Sequence, residues 1–216
     1  MATRAEEAFK EELALIKDER VKAFTVEVLN EFTPEYFWTA PASSTGKYHP
    51  AYSLGEGGVL RHVKIVAWMA SQFTAAIPLS REEIMNSNMG KQLYTDVVVA
   101  GAILHDLEKF GPNFDGTPSS LPKDNTACHG ITFANKIYAA KFKSGETPPF
   151  AIRCVLRGIA GHMGPWTGDD RYKPDYQKDP VIRKVCRCIF YGDYAASRRY
   201  PDYILELMKQ GDANVD

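Results

Sequence analysis

The stretch Ala102-Ile-Leu-His-Asp-Leu-Glu-Lys-Phe-Gly111 places an imidazole, a carboxylate and an ammonium close together, with His105 and Asp106 adjacent and Lys109 one turn later. Neighbouring residues on a helix project about 100° apart, so both can reach one ion only near a helix end or edge. Gly111-Pro112 ends this helix within two turns and meets that need. Lys109 shares the face of the pair, and a cation so near a metal-binding pair is costly unless an anion lies between them. A phosphate would supply that anion. The chain has five histidines, His49, His62, His105, His129 and His162, and each sits in a context that suggests a site. Together with Asp106 and Asp193 they read as a metal centre that hydrolyses a phosphoester. Imidazole and carboxylate donors without thiolate suit one or two divalent transition-metal ions (Mn, Fe, Co, Ni or Zn) and not a structural zinc knot. Such ions bring the pKa of a bound water toward ~7 and polarise a phosphoryl oxygen.

The elements that must carry these residues are helical by their spacing. Phe9, Leu13, Ile16, Phe24 and Val28 predict one helix over about 5–30, stopped by Thr33-Pro34. From Phe37 to Gly58 the chain reads as an irregular segment, too long for a plain connection. It carries Ser43, Ser44, Lys47, Tyr48 and His49, a set suited to a polar ligand. A second helix opens near Val59, with His62, Val66, Met69 and Phe73 on one stripe, so His62 projects from the core-facing side. Ser80 and Glu83 form a capping box for a short helix at about 81–87.

Gln92 to Phe110 divides its preferences, since Val97-Val98-Val99 favours a strand and the remainder a helix. Its uninterrupted length assigns it to a helix. A loop over Gly111–Asn125 precedes helices at about 127–142 and 149–161. Another polar loop, Met163–Asp179, leads to a helix opened by Asp179-Pro180 and running to about Ala196, and Pro201 starts a last one. The fold class is all-α, six to eight helices in one domain spanning 1–216.

Composition narrows the class further. The chain is 44% hydrophobic and 25% charged, with a net charge of −1, which gives no global attraction to nucleic acid or an anionic membrane. Its N-terminus lacks the apolar core of a signal peptide, and its longest apolar stretch, Val97–Leu104, is far short of the ~18 residues of a membrane span. The four cysteines are not paired as Cys-x-x-Cys and read as reduced, mostly buried thiols of a cytoplasmic protein.

The ordered set His62, His105-Asp106, Asp193 resembles the HD-domain superfamily of metal-dependent phosphohydrolases. Gly57-Gly58-Val-Leu-Arg-His62 looks like that family's first motif, His105-Asp-Leu-Glu-Lys109 its second, and Gly192-Asp-Tyr-Ala-Ala-Ser-Arg198 its final aspartate helix. The resemblance covers roughly 37–200 and implies a compact helical bundle with the metal site between helices. It implies that His62, His105, Asp106 and Asp193 hold a first metal, and that Asp106 bridges to a second bound by His129 and His162. Lys109 would contact the phosphate and Arg198 would assist. Glu108 stands where many members have glycine, which bears on the substrate class.

Each residue also has an ordinary explanation. His62 could be a hydrogen-bonded core histidine, and Asp193 could cap its helix or pair with Arg187 or Arg198. His129 and His162 could stand behind a one-metal site, and His49 divides evenly between substrate contact and turn residue. Trp166 and Tyr48 are loop anchors or walls on which a base stacks.

The leading expectation is hydrolysis of a phosphoester or phosphoanhydride of a small nucleotide, with a metal-bound hydroxide attacking phosphorus. The alternatives are a phosphodiesterase or 3′-exonuclease on oligonucleotides, an HD-type di-iron oxygenase, and a nucleotide-binding module with a vestigial site. Near-zero net charge argues against a long nucleic acid as partner, no membrane partner is expected, and the oligomeric state stays open, a homo-oligomer included.

Overall fold

The computed structural model describes residues 2–43, 46, 49–111, 114 and 128–199. Ser44, Lys47, Tyr48, most of the 111–125 loop and the helix expected from Pro201 lie outside the described residues. Every regular element among the described residues is helical, as the hydrophobic spacing predicts. The α-helices are α1 (Arg4–Ala8), α2 (Lys10–Leu15), α3 (Glu19–Phe32), α4 (Gly58–Ala76), α5 (Arg81–Ser87), α6 (Lys91–Leu104), α7 (His129–Lys141), α8 (Phe150–Gly161) and α9 (Pro180–Ala196). Short 3₁₀ turns punctuate the two long loops. No helix of the described residues is long and apolar enough to cross a membrane.

The centre of the bundle is α6. Tyr94 and every residue from Asp96 to Leu104 are buried, and α2, α3, α4, α8 and α9 pack around it. A helix enclosed on all sides has no polar face, which is why the Val97-Val98-Val99 run carries no amphipathic signal. Packing overrides its strand preference. Around this axis α4 lies along α9, and α7 docks on α8.

The single N-terminal helix expected over about 5–30 is instead three pieces. Phe9 departs from helical geometry between α1 and α2, and Ile16 and Asp18 are extended between α2 and α3. The apolar spacing hid the breaks because Phe9, Leu13, Ile16, Val21, Phe24 and Val28 are all buried on both sides of them. Polar groups set the second break. The Asp18 side chain accepts from Arg20 and Val21 N–H and so starts α3. Its own N–H donates to the buried Asp96 carboxylate of α6 at 2.8 Å. The extra pieces raise the count to nine α-helices among the described residues.

The 92–110 helix also ends earlier than expected, at Leu104, with turn geometry from 105 to 110. Cys154, Cys186 and Cys188 are buried, as expected, whereas Cys128 is exposed.

Asp96 ties the α2–α3 break to the central helix and also accepts from Gln92 Nε2 at 2.7 Å. Asp96→Ala strands both donors, and the expected cost is about 1–3 kcal/mol. Thermal denaturation should show that loss while the metal content of the purified protein stays at the parent level.

Candidate metal centre

Five elements converge on one point. α6 and α8 both end there, and His105 and His162 are the residues immediately following their last helical turns. His129 opens α7. His62 comes from the second turn of α4, and Asp193 from the C-terminal part of α9. Asp106 follows His105 in the turn beyond α6. The requirement that an adjacent His–Asp pair lie near a helix end is therefore met by geometry outside the regular helix. His62, His105, Asp106, His129 and His162 are all at most 5% exposed.

The donors sort into two groups, His62, His105 and Asp193 on one side and Asp106, His129 and His162 on the other. Within each group one ligand atom per residue lies within 4.8 Å of the others. Asp106 stands between the groups. Its Oδ1 is 2.8 Å from His129 Nε2 and 3.6 Å from His162 Nε2. Its Oδ2 is 3.4 Å from His105 Nε2 and 3.6 Å from His62 Nε2. One carboxylate thus turns one oxygen toward each histidine pair. On the far side Asp193 Oδ1 lies 3.0 Å from His62 Nε2 and 4.0 Å from His105 Nε2.

The ring orientations fit a metal. His105 Nδ1 donates to the Ala102 carbonyl at 2.7 Å, and His162 Nδ1 to the Ile159 carbonyl at 2.7 Å. The same i−3 contact at two helix ends fixes the tautomer and leaves an unprotonated Nε2 facing the centre. Nε2 of His62, His105 and His162 is buried without a hydrogen-bond partner. A buried ring nitrogen without a partner is costly. His62 Nε2 is close to Asp193 yet poorly aligned with it, as expected of donors aimed at a shared third point. The arrangement could hold one ion in each group. Imidazole and carboxylate in a solvent-poor pocket suit a divalent transition metal.

Close packing of α7 on α8 is part of the site. A Cβ on Gly130, next to His129, would lie 2.4 Å from the Ile159 carbonyl oxygen and 2.7 Å from His162 Nδ1. Only glycine lets the two histidine-bearing backbones meet this closely.

The electrostatics favour the ligating form of His62, His162, Asp106 and Asp193 and oppose it at His105. Burial lowers the pKa of His62, and burial together with His129 and His105 lowers that of His162 to about 3. For His105 burial pulls down but Asp106 outweighs it, so its pKa is raised. Burial opposes ionisation of Asp106, yet Lys109 and His105 hold its carboxyl well below the usual range. Asp193 is held low mainly by His62, against burial.

Lys109 Nζ sits 2.6 Å from Asp106 Oδ2, and its pKa is raised by Asp106 and Asp193 despite burial. The anion that Lys109 needs beside the pair is thus supplied by the protein's own Asp106 as well as by any phosphate. Glu108 does not lie free beside the pair. Lys136 of α7 engages its carboxylate, and this ion pair pins the turn to α7. Asp193 pairs with neither arginine considered for it, because Arg187 binds Asp175 and the Arg198 guanidinium lies over the Tyr194 ring.

His49 is half-buried beside His62, with ring centroids 5.7 Å apart. Its Nε2 is buried without a hydrogen-bond partner, and burial first, then Lys109 and His62, lowers its pKa to about 4. The structure places it against His62, not on a remote turn. Trp166 and Arg198 line a cavity that also exposes Asp193. The aromatic residues beside them, Phe190 and Tyr194, were not singled out by sequence. Their spacing on α9 with Asp193 and Arg198 was the available signal. Comparison with protein-family models, with curated proteins and with solved structures finds no match for this chain.

Two donor groups on either side of one carboxylate predict two ions per chain. Elemental analysis of the purified protein should approach two equivalents, and Asp106→Asn should lower both occupancies. One equivalent, unaffected by Asp106→Asn, would contradict a shared bridge.

The metal-free protein should also lose stability as pH falls. His49 and His162 titrate at about 4 and about 3 in the fold, against 6.5 unfolded, and His62 is shifted the same way. Between about 6.5 and 4 the unfolded chain therefore binds more protons, so unfolding gains ground with acidification. His105, raised, runs the other way: its contribution is present below 6.5 and lost as pH rises through its folded value. Denaturant melts of chelator-stripped protein from pH 7.5 to 4 should show a net decline on the acid side.

Proposed function

We propose that this chain is a metal-dependent phosphohydrolase of the HD type, acting on a phosphoester or phosphoanhydride of a small nucleotide. The observation that carries this reading is the two buried groups, His62/His105/Asp193 and Asp106/His129/His162, with Nε2 of His62, His105 and His162 unpartnered. When bound, the ions would acidify water as the nucleophile and stabilise charge developing on phosphoryl oxygens.

The chain's own residues then have distinct tasks. His62, His105 and Asp193 would hold one ion, and Asp106, His129 and His162 the other. The Ala102 and Ile159 carbonyls keep the ligating histidines in register. Lys109, 13% exposed at its side chain, has donors beyond the one given to Asp106 and holds a phosphoryl oxygen. His49 is neutral at physiological pH and offers a ring nitrogen to the substrate beside the ligands. The walls around these groups are buried, which strengthens every electrostatic contact to the reacting phosphate.

A di-iron oxygenase is a second reading, supported by the same carboxylate between two histidine groups. Iron at two equivalents with oxygen consumption and no phosphate release would favour it.

Purified protein supplied with Mn²⁺, Co²⁺ or Ni²⁺ should release phosphate from at least one of the nucleotide mono-, di-, tri- or cyclic phosphates. A labelled oligonucleotide in the same panel separates the exonuclease alternative. The double variant His105→Ala/Asp106→Ala should fall by a factor on the order of 10³ or more, because it removes donors of both groups. Turnover that survives chelation, or that the double variant leaves intact, would sink the reading.

A further inference from the structure

The ligand Asp193 is shared between the metal centre and a cavity of about 420 Å³. Its walls are Trp166, Phe190 and Tyr194, and Arg198 stands at the side. Three observations set this cavity apart from an ordinary surface dent.

First, its aromatic rings are presented and not buried. Trp166 is 55% exposed and Tyr194 is 41% exposed. The two rings are nearly parallel, at 12° with centroids 5.9 Å apart, and Phe190 contacts both. Exposed aromatic faces grouped around a concavity are a mark of a binding surface.

Second, the chain is bent to put Trp166 there. Gly164 has φ +59, and a Cβ on it would lie 2.4 Å from the Phe190 ring. The turn Gly164–Trp166 therefore rests directly on Phe190, which anchors the loop. Anchoring is satisfied by that contact, so it does not require the indole to be displayed.

Third, Arg198 is held but not neutralised. Its guanidinium carbon is 3.8 Å from the Tyr194 ring centroid, and no carboxylate among the described residues pairs with it. Its Nε is buried with no hydrogen-bond partner. Without a carboxylate partner, the guanidinium can donate from its remaining N–H groups to an oxygen acceptor on whatever enters the cavity.

A planar ring with oxygen acceptors nearby, joined to a phosphate one ligand away, is the description of a nucleotide. We infer that this cavity is the base subsite of the metal centre, and that Trp166, Tyr194 and Arg198 determine specificity for nucleotides over other organic phosphates. The base stacks on the indole of Trp166, which Tyr194 backs, Arg198 takes an oxygen of the base or the ribose, and the phosphate reaches past Asp193. This inference rests on the phosphohydrolase reading for what happens at the phosphate, but the subsite can be measured without turnover.

The test is calorimetric titration of the metal-loaded protein with two hydrolysis-resistant probes, the methylene phosphonate analogues of adenosine 5′-monophosphate and of ribose 5-phosphate. The adenosine probe should bind about 10- to 100-fold more tightly, the range expected for stacking one base on an aromatic side chain. Trp166→Ala should abolish most of that ratio and leave the ribose probe unchanged. Tyr194→Ala, on the rigid helix and not on the loop, should act in the same direction if the loop variant folds poorly. Equal affinities in the parent, or a ratio that survives both substitutions, would overturn the subsite. A base-dependent ratio without phosphate release from any nucleotide leaves the subsite standing and overturns the hydrolase reading. Phosphate release from all organic phosphates alike does the reverse.

Discussion

The burial of one carboxylate governs the rest of this molecule. Asp106 is 1% exposed and is surrounded by four imidazoles and an ammonium. An ionised carboxyl in such a place is tolerated only where opposite charge and donors compensate for lost hydration. Lys109 supplies the opposite charge and His129 a ring nitrogen at 2.8 Å. Nearly every feature of the fold near this point serves that compensation: two helices end there, a third begins there, and two others turn a side chain inward.

Helix termini are useful for this purpose because their last carbonyls have no partner within the helix. α6 and α8 each spend one such carbonyl on the histidine three residues later. The imidazole satisfies the backbone, and the backbone orients the imidazole. The same contact therefore stabilises the helix end and orients an imidazole of the candidate metal centre. The buried apolar axis of α6 makes this possible by holding one of those ends in the middle of the bundle.

How far the primary structure discloses all this depends on the kind of signal. Residue types at a site are visible directly. The rarity of histidine, its contexts and the order of His62, His105-Asp106 and Asp193 point to residues that the fold does bring together. Periodicity located most helices, and α5 and α9 carried cap signals that mark their starts. It could not reveal the breaks at Phe9 and at Ile16–Asp18, because the buried stripe runs through them and a long-range bond to Asp96 sets the second. Nor could it show that Glu108 would turn to Lys136, since that partner is on another helix. The aromatic wall of Phe190 and Tyr194 was hidden for a related reason. On α9 these residues read as ordinary helix-face aromatics until the loop carrying Trp166 is placed against them.

The donors differ in how they depend on the chain that delivers them. His105 and His162 lie just past helix ends and are held there by the carbonyls three residues earlier. His62 and Asp193 lie within α4 and α9, so helical phase alone aims them. One residue inserted upstream in either helix would swing its side chain by about 100° and carry it off the centre. An insertion in the loops between helices leaves both side chains aimed, whereas an insertion within α4 or α9 ahead of them does not.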